Sequence, residues 1–168
     1  KTNYLKTIIN FIDSQDFLSE LVSPFEVDMT KLYNIHPKKI IYNGPIKSFD
    51  SIKYVLNGGG VVNADSFDDL KNIILIAKKL KDLNFKRIGV RFSFDENNLQ
   101  SRFGIEFNSD NLEKILSIIK VINLNFPRCL HIHFPKRDIK SFEERVRKIC
   151  KILSNLRKEH NINNTIID

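Results

Sequence analysis

The sequence has no tryptophan, a single methionine at Met29, and two cysteines, Cys129 and Cys150. Two cysteines with no C-x-x-C spacing exclude a disulfide scaffold and a Cys-based zinc site. We expect both as buried thiols in a reducing compartment, the cytoplasm. Glycine and proline are scarce, at 6 and 5 of 168 residues, which excludes collagen-like and low-complexity chains. No apolar run approaches the roughly 18 residues of a membrane-spanning helix. The longest, Ile73 to Ala77, is cut by Lys78 and Lys79. The start, Lys1-Thr2-Asn3-Tyr4-Leu5, lacks the apolar stretch and small-residue cleavage site of a secretory signal. Because Met29 is the only methionine, an excised segment of a longer protein is expected.

What is present is a globular mixture, 42% hydrophobic and 28% charged, with a net charge of +7. The basic residues are spread from Lys38-Lys39 to the Arg145–Lys151 stretch, and acidic residues interleave with most of them. No RNA-reading motif accompanies them, so a solvated basic surface is expected rather than a nucleic-acid partner.

Apolar positions Leu5, Ile8, Ile9, Ile12, Leu18 and Leu21 follow helical spacing over 5–21. Phe25-Glu26-Val27-Asp28 reads as a short strand, and Lys39 to Asn43 as a clearer one, stopped by Gly44-Pro45. Ser48 caps a helix ending near Gly58, and Gly58-Gly59-Gly60 reads as a helix stop and turn into the strand Gly60 to Ala64. Ser66, with Asp69 three residues on, opens a helix to about Leu83. Arg87–Phe92 and Cys129–Phe134 read as strands, 110–122 and 141–159 as helices, and Thr165-Ile166-Ile167 as a last strand. Strand–helix alternation with continuously apolar strands predicts a parallel α/β fold. The strands end in polar groups, among them Asn43, Asn63, Asp65, Arg91, His133 and Asp168. Both a barrel and an open sheet place ligands at such ends.

The segments resemble, in order, those of the fold-type III pyridoxal-phosphate-dependent amino-acid decarboxylases (the ornithine, arginine and diaminopimelate enzymes). The matching segments are Lys1-Thr2-Asn3, Phe25-Glu26-Val27, Ile40 through Asn43-Gly44-Pro45 to Lys47-Ser48, Val62 to Ser66, Val90-Arg91 with Arg102-Phe103-Gly104-Ile105, and Leu130-His131-Ile132-His133. The resemblance implies an alanine-racemase-like (β/α)8 TIM-like barrel, present as an incomplete segment. Residues 1–168 are then a partial cofactor-binding barrel domain, and the family's C-terminal β-domain lies outside the chain.

The function implied is removal of the α-carboxylate of an L- or meso-amino acid, diaminopimelate- or ornithine-like, in lysine or polyamine biosynthesis. The cofactor implied is pyridoxal 5'-phosphate, held by Lys1 as a Schiff base. His133 is implied as the imidazole stacked on its ring, Glu26 as a carboxylate near lysine and ring, and Arg91 as a fixed cation at the barrel mouth. Lys1 and His133 are the implied catalytic residues. A small amino-acid substrate and a homodimer are implied as partners, with no metal and no membrane. Asn43 and Arg102-Phe103-Gly104 read as rim or loop-shaping residues. Two departures motivate an alternative, a catalytically degenerate homologue acting as a binding or regulatory protein. After His133 the family has a Gly-Ser segment, where this chain has Phe134-Pro135-Lys136, and Leu32 stands where a glutamate is expected.

Overall fold

A computed structural model describes residues 5–80, 87–94, 101–124, 127–132, 138–160 and 166–168. Its elements are α1 (Lys6–Ser14), β1 (Ser19–Leu21), α2 (Pro24–Leu32), β2 (Ile40–Tyr42), α3 (Phe49–Asn57), β3 (Val61–Ala64) and α4 (Phe67–Lys78), followed by β4 (Ile88–Ser93), β5 (Ile105–Glu106), α5 (Ser109–Lys120), β6 (Cys129–Ile132), α6 (Ile139–His160) and β7 (Ile166–Ile167). The described strands form one parallel sheet in the order β1-β2-β3-β4-β6-β7. β4 outruns β3, and its free end, Phe92-Ser93, takes β5 in parallel register.

Short polar caps fix where strands turn into helices. Ser23, Ser48 and Ser66 accept from the backbone N–H three residues on, and Asn108 does the same for α5. Each satisfies one of the helix's orphan donors, typically about 1 kcal/mol of stability. Asp69 returns the bond on α4, its carboxylate accepting from Asp65 N–H at 3.0 Å. The glycine run behaves as expected: Gly58 follows the last residue of α3, and Gly59 has φ +82°.

Three expectations need correction. Phe25 to Asp28 is not a strand but the first half of α2, because the Ser23 cap and Pro24 at its first position commit the chain to a helix. The strand lies earlier, at Ser19–Leu21, inside the stretch whose spacing suggested a helix over 5–21. α1 stops at Ser14, with Asp16 in the left-handed region at φ 62°. Cys150 is exposed rather than buried. Ile152 and Leu156 turn the buried side of α6 inward, and a residue two positions from Ile152 faces away.

The sheet has two unlike faces. One packs against the helices through the main apolar core, including Ile40, Tyr42, Val62, Ile88, Val90, Phe92 and Leu130. The alternate residues turn to the other face, where the only buried apolar cluster among the described residues is Ile41, Val61 and Cys129. Beyond that floor, toward the strand C-termini, this second face turns polar.

Candidate active site

The polar face is laid out by register. Ile41 pairs with Val61, so Asn43 and Asn63 follow as neighbours two residues on, and Asn63 donates to Asn43 Oδ1 at 2.6 Å. Asn63 pairs with Gly89, so Asp65 and Arg91 follow, joined by Arg91 Nη1 to Asp65 Oδ1 at 2.9 Å. Arg91 pairs with His131, and His131 Nδ1 lies 2.8 Å from Asp168 Oδ2, next to β7. Asn43 Nδ2 donates to Glu20 Oε1 at 3.1 Å and to Asp168 Oδ2 at 2.7 Å. Carboxylates, amides, an imidazole and a guanidinium from six strands thus converge on one end of one face.

Small residues make room. A Cβ on Gly89 would lie 1.9 Å from Asn63 Oδ1 and 2.6 Å from Cys129 Cβ. Gly44, at φ +96°, has no space for one against the Val22 carbonyl, so the chain leaves β2 pressed against the end of β1. Burial pushes the Cys129 thiol up to about 12, against a pull from Asn63, so the floor is apolar and unreactive.

Outside this face, Lys47 is fully enclosed and bonds Asp69 Oδ2 at 2.6 Å and the Gly44 carbonyl. Burial lowers its pKa, and Asp69 pulls the other way. That pair ties the β2–α3 turn to the first turn of α4.

Arg91 is buried on the polar face near the C-terminal end of β4, with its guanidinium 5.1 Å from the Phe103 ring centre. Its Nε is buried and has no hydrogen-bond partner among the described residues. Glu26 is buried in the first turn of α2, and its Oε2 accepts from Val22 N–H at 2.5 Å. Lys1 and His133 lie outside the described residues, as do Pro135 and Lys136. Leu32 is exposed. Sequence reasoning missed Glu20 and placed Asn43 at the rim, whereas Asn43 is the hub of the network. The signal for Asn43 was its place one residue past an Ile-Ile-Tyr strand; Glu20 sits in a strand too short to give one.

The model of the family described as "Pyridoxal-dependent decarboxylase, pyridoxal binding domain" matches residues 1–168. The diaminopimelate decarboxylase of Methanocaldococcus jannaschii is 25% identical over 156 residues, covering 84% of this chain and 35% of that protein. The crystal structure of the M. jannaschii diaminopimelate decarboxylase in co-complex with L-lysine superposes with a TM-score of 0.79 at 23% identity, over 98% of this chain and 40% of that one. The arginine decarboxylase of Paramecium bursaria Chlorella virus gives 0.71 at 18% identity, over 99% and 44%. The chain thus spans 35–44% of the length of these relatives. Its parallel strands are the N-terminal part of a TIM barrel, whose concave interior is the polar face described above.

Proposed function

The chain belongs to the pyridoxal-dependent decarboxylase family, as its pyridoxal-binding domain, and on that premise we propose that it builds the first part of the active-site barrel of an amino-acid decarboxylase. The reaction proposed is loss of the α-carboxylate from an L- or meso-amino acid of the diaminopimelate or ornithine kind. The observation that carries it is the buried Arg91, with an uncommitted Nε donor, at the C-terminal mouth of a parallel barrel face.

The residues fit pyridoxal phosphate. A small, anionic, oxygen-rich ring compound needs buried donors and a cation, and Arg91 offers both. The floor beneath, Ile41, Val61 and Cys129, is apolar. Bound there, the cofactor would supply an electron sink for the carbon that loses CO₂. Arg91, Glu26, His133 and Lys1 are the residues proposed to hold it.

Arg91 is already paired with Asp65, so it meets a bound ligand as a directed donor through Nε rather than as a free positive charge. Glu26 is already committed through Oε2 to the β1–α2 corner, which holds its carboxylate in one rotamer. His133 follows His131 by two residues in the sequence, and the family resemblance gives it the ring-stacking role. A flat imidazole there would cover one side of a bound ring and exclude water from it. A homodimeric, cytoplasmic enzyme completes the reading, with the remaining barrel strands and a β-domain in the rest of the polypeptide.

The test is the absorbance of the complete polypeptide with pyridoxal phosphate, followed by borohydride reduction and peptide mapping. A band at about 400–430 nm and a reduced adduct on Lys1 are expected. A folded protein with neither would overturn the reading. A second reading, a homologue that has lost catalysis and serves as a binding or regulatory protein, is favoured by Pro135 and Lys136, which replace a small donor-rich segment. CO₂ release from an amino acid, abolished by Lys1→Ala, would exclude it.

A further inference from the structure

We propose that Asp168 is a positioning residue that holds His131 in its Nδ1–H tautomer, leaving Nε2 as a hydrogen-bond acceptor in the barrel mouth. This rests on the decarboxylase reading for its functional consequence but not for its geometry.

Proton counting carries it. Asp168 Oδ2 lies 2.7 Å from Asn43 Nδ2 and 2.8 Å from His131 Nδ1. The orientation of Asn43 is fixed by its neighbours. Its Oδ1 accepts from Asn63 Nδ2, and its Nδ2 faces the carboxylates of Glu20 and Asp168, so exchanging the two atoms would set an oxygen against two carboxylates. Both Asn43 N–H bonds are therefore spent on Glu20 and Asp168. None is left for His131 Nδ1, which sits 3.3 Å from Asn43 Nδ2. A bare Nδ1 lone pair would then face the Asp168 carboxylate at 2.8 Å with no proton between them. The arrangement is satisfied only when Nδ1 carries the hydrogen and Asp168 accepts it. In the neutral imidazole Nε2 is then unprotonated, and it has no hydrogen-bond partner among the described residues.

Three other features hold this tautomer. His131 is buried, so water does not compete freely for Nδ1. Asn43 fixes the carboxylate from the opposite side of the barrel. The charged groups around the pair are Glu20 on β1, Asp168 after β7, and Arg91, the register partner of His131, which is itself bonded to Asp65. The acceptor so created suits an N–H or O–H donor on a bound ligand, either the amine of an amino-acid substrate or a hydroxyl of the cofactor.

The test is long-range ¹H–¹⁵N correlation on the cofactor-free complete polypeptide, labelled at histidine and assigned with His131→Gln. A protonated Nδ1 and an unprotonated Nε2 at His131 are expected. An Nε2–H tautomer in the wild type overturns the inference outright. In Asp168→Ala the ring is expected to revert to Nε2–H, and the affected constant to worsen about 10- to 100-fold, the usual cost of losing a carboxylate that orients a histidine. A change confined to cofactor titration assigns the donor to the cofactor, and one confined to KM assigns it to the substrate. No change in either overturns the positioning role. Failure of pyridoxal phosphate to bind the wild type overturns the decarboxylase reading instead, and the tautomer measurement still decides this one.

Discussion

Asn43 and Asp168, 125 residues apart, meet at 2.7 Å between Nδ2 and Oδ2. They stand at the ends of β2 and β7, which are separated in the sheet by β3, β4 and β6. Four strand spacings amount to about 19 Å along a flat sheet, well beyond the reach of two short side chains. The contact therefore requires the sheet to be curled into a trough with its polar face inside. Two donors on one amide bridge carboxylates from opposite walls, Glu20 and Asp168, and neutralise neither. This geometry makes the strand ends a single site rather than a row of separate polar residues.

Gly89 is the tightest point of that trough. An added methyl would meet Asn63 Oδ1 and both the Cβ and the carbonyl of Cys129, all within 2.6 Å. Backbone and a bonded amide cannot move aside as a flexible side chain can. Gly89→Ala is expected to lower stability by about 1–3 kcal/mol, read as a lower denaturant midpoint. It is also expected to weaken cofactor retention, because displacing Asn63 displaces Asn43. Unchanged stability would show that the β3–β4 floor can relax.

Lys47 has no exposed side-chain surface and meets an almost buried Asp69. Removing one partner of a buried pair costs about 3–5 kcal/mol, whereas replacing both with apolar residues can be nearly neutral. Lys47→Met is therefore expected to destabilise strongly, and Lys47→Met with Asp69→Leu to recover much of the loss. Burial holds the folded pKa of Lys47 below 10.5. In the window below that value the unfolded chain keeps a proton that the folded one has released, so this group's contribution to stability rises with pH. The difference in denaturant midpoint between wild type and Lys47→Met, compared at increasing alkaline pH, should shift in favour of the wild type as pH rises toward 10.5.

The stretch from β2 to α4 was legible in the sequence because each element announced itself locally. Ile40-Ile41-Tyr42 and Val61-Val62 are β-forming runs, Ser48 and Ser66 are caps, and the glycines at 58–60 mark a stop. β1 was not legible. Ser-Glu-Leu carries no β-branched residue, and its pairing with Ile40–Tyr42 is what makes it a strand. The same limit applies to the site. Arg91 could be read as a cation ending a strand, but the links Asn43–Asp168 and His131–Asp168 depend on how far the sheet curls. No local period records that curvature. The placement of Phe25–Asp28 failed for a related reason: two apolar residues alternating with acids fit a strand or a helix equally, and Ser23-Pro24 decides between them.

Cys129 gives an alkaline signature of the barrel floor. Its thiol is pushed from 9.0 up to about 12 by burial. Above pH 9 the unfolded chain releases this proton and the folded chain keeps it, so the unfolded state binds fewer protons and stability falls as pH rises. The slope is about 1.4 kcal/mol per pH unit until the folded thiol itself ionises. Cys129→Ala removes the titrating group at the cost of a small cavity, about 1 kcal/mol at neutral pH. Under reducing conditions, the loss of stability between pH 7.5 and 10.5 should be larger in the wild type than in Cys129→Ala by about 2 kcal/mol. Mass-mapped alkylation at neutral pH should leave Cys129 unmodified until the chain is unfolded. Rapid labelling of Cys129 in the native protein, or equal alkaline losses in the two proteins, would mean that water reaches the trough floor and that its apolar layer of Ile41, Val61 and Cys129 is open.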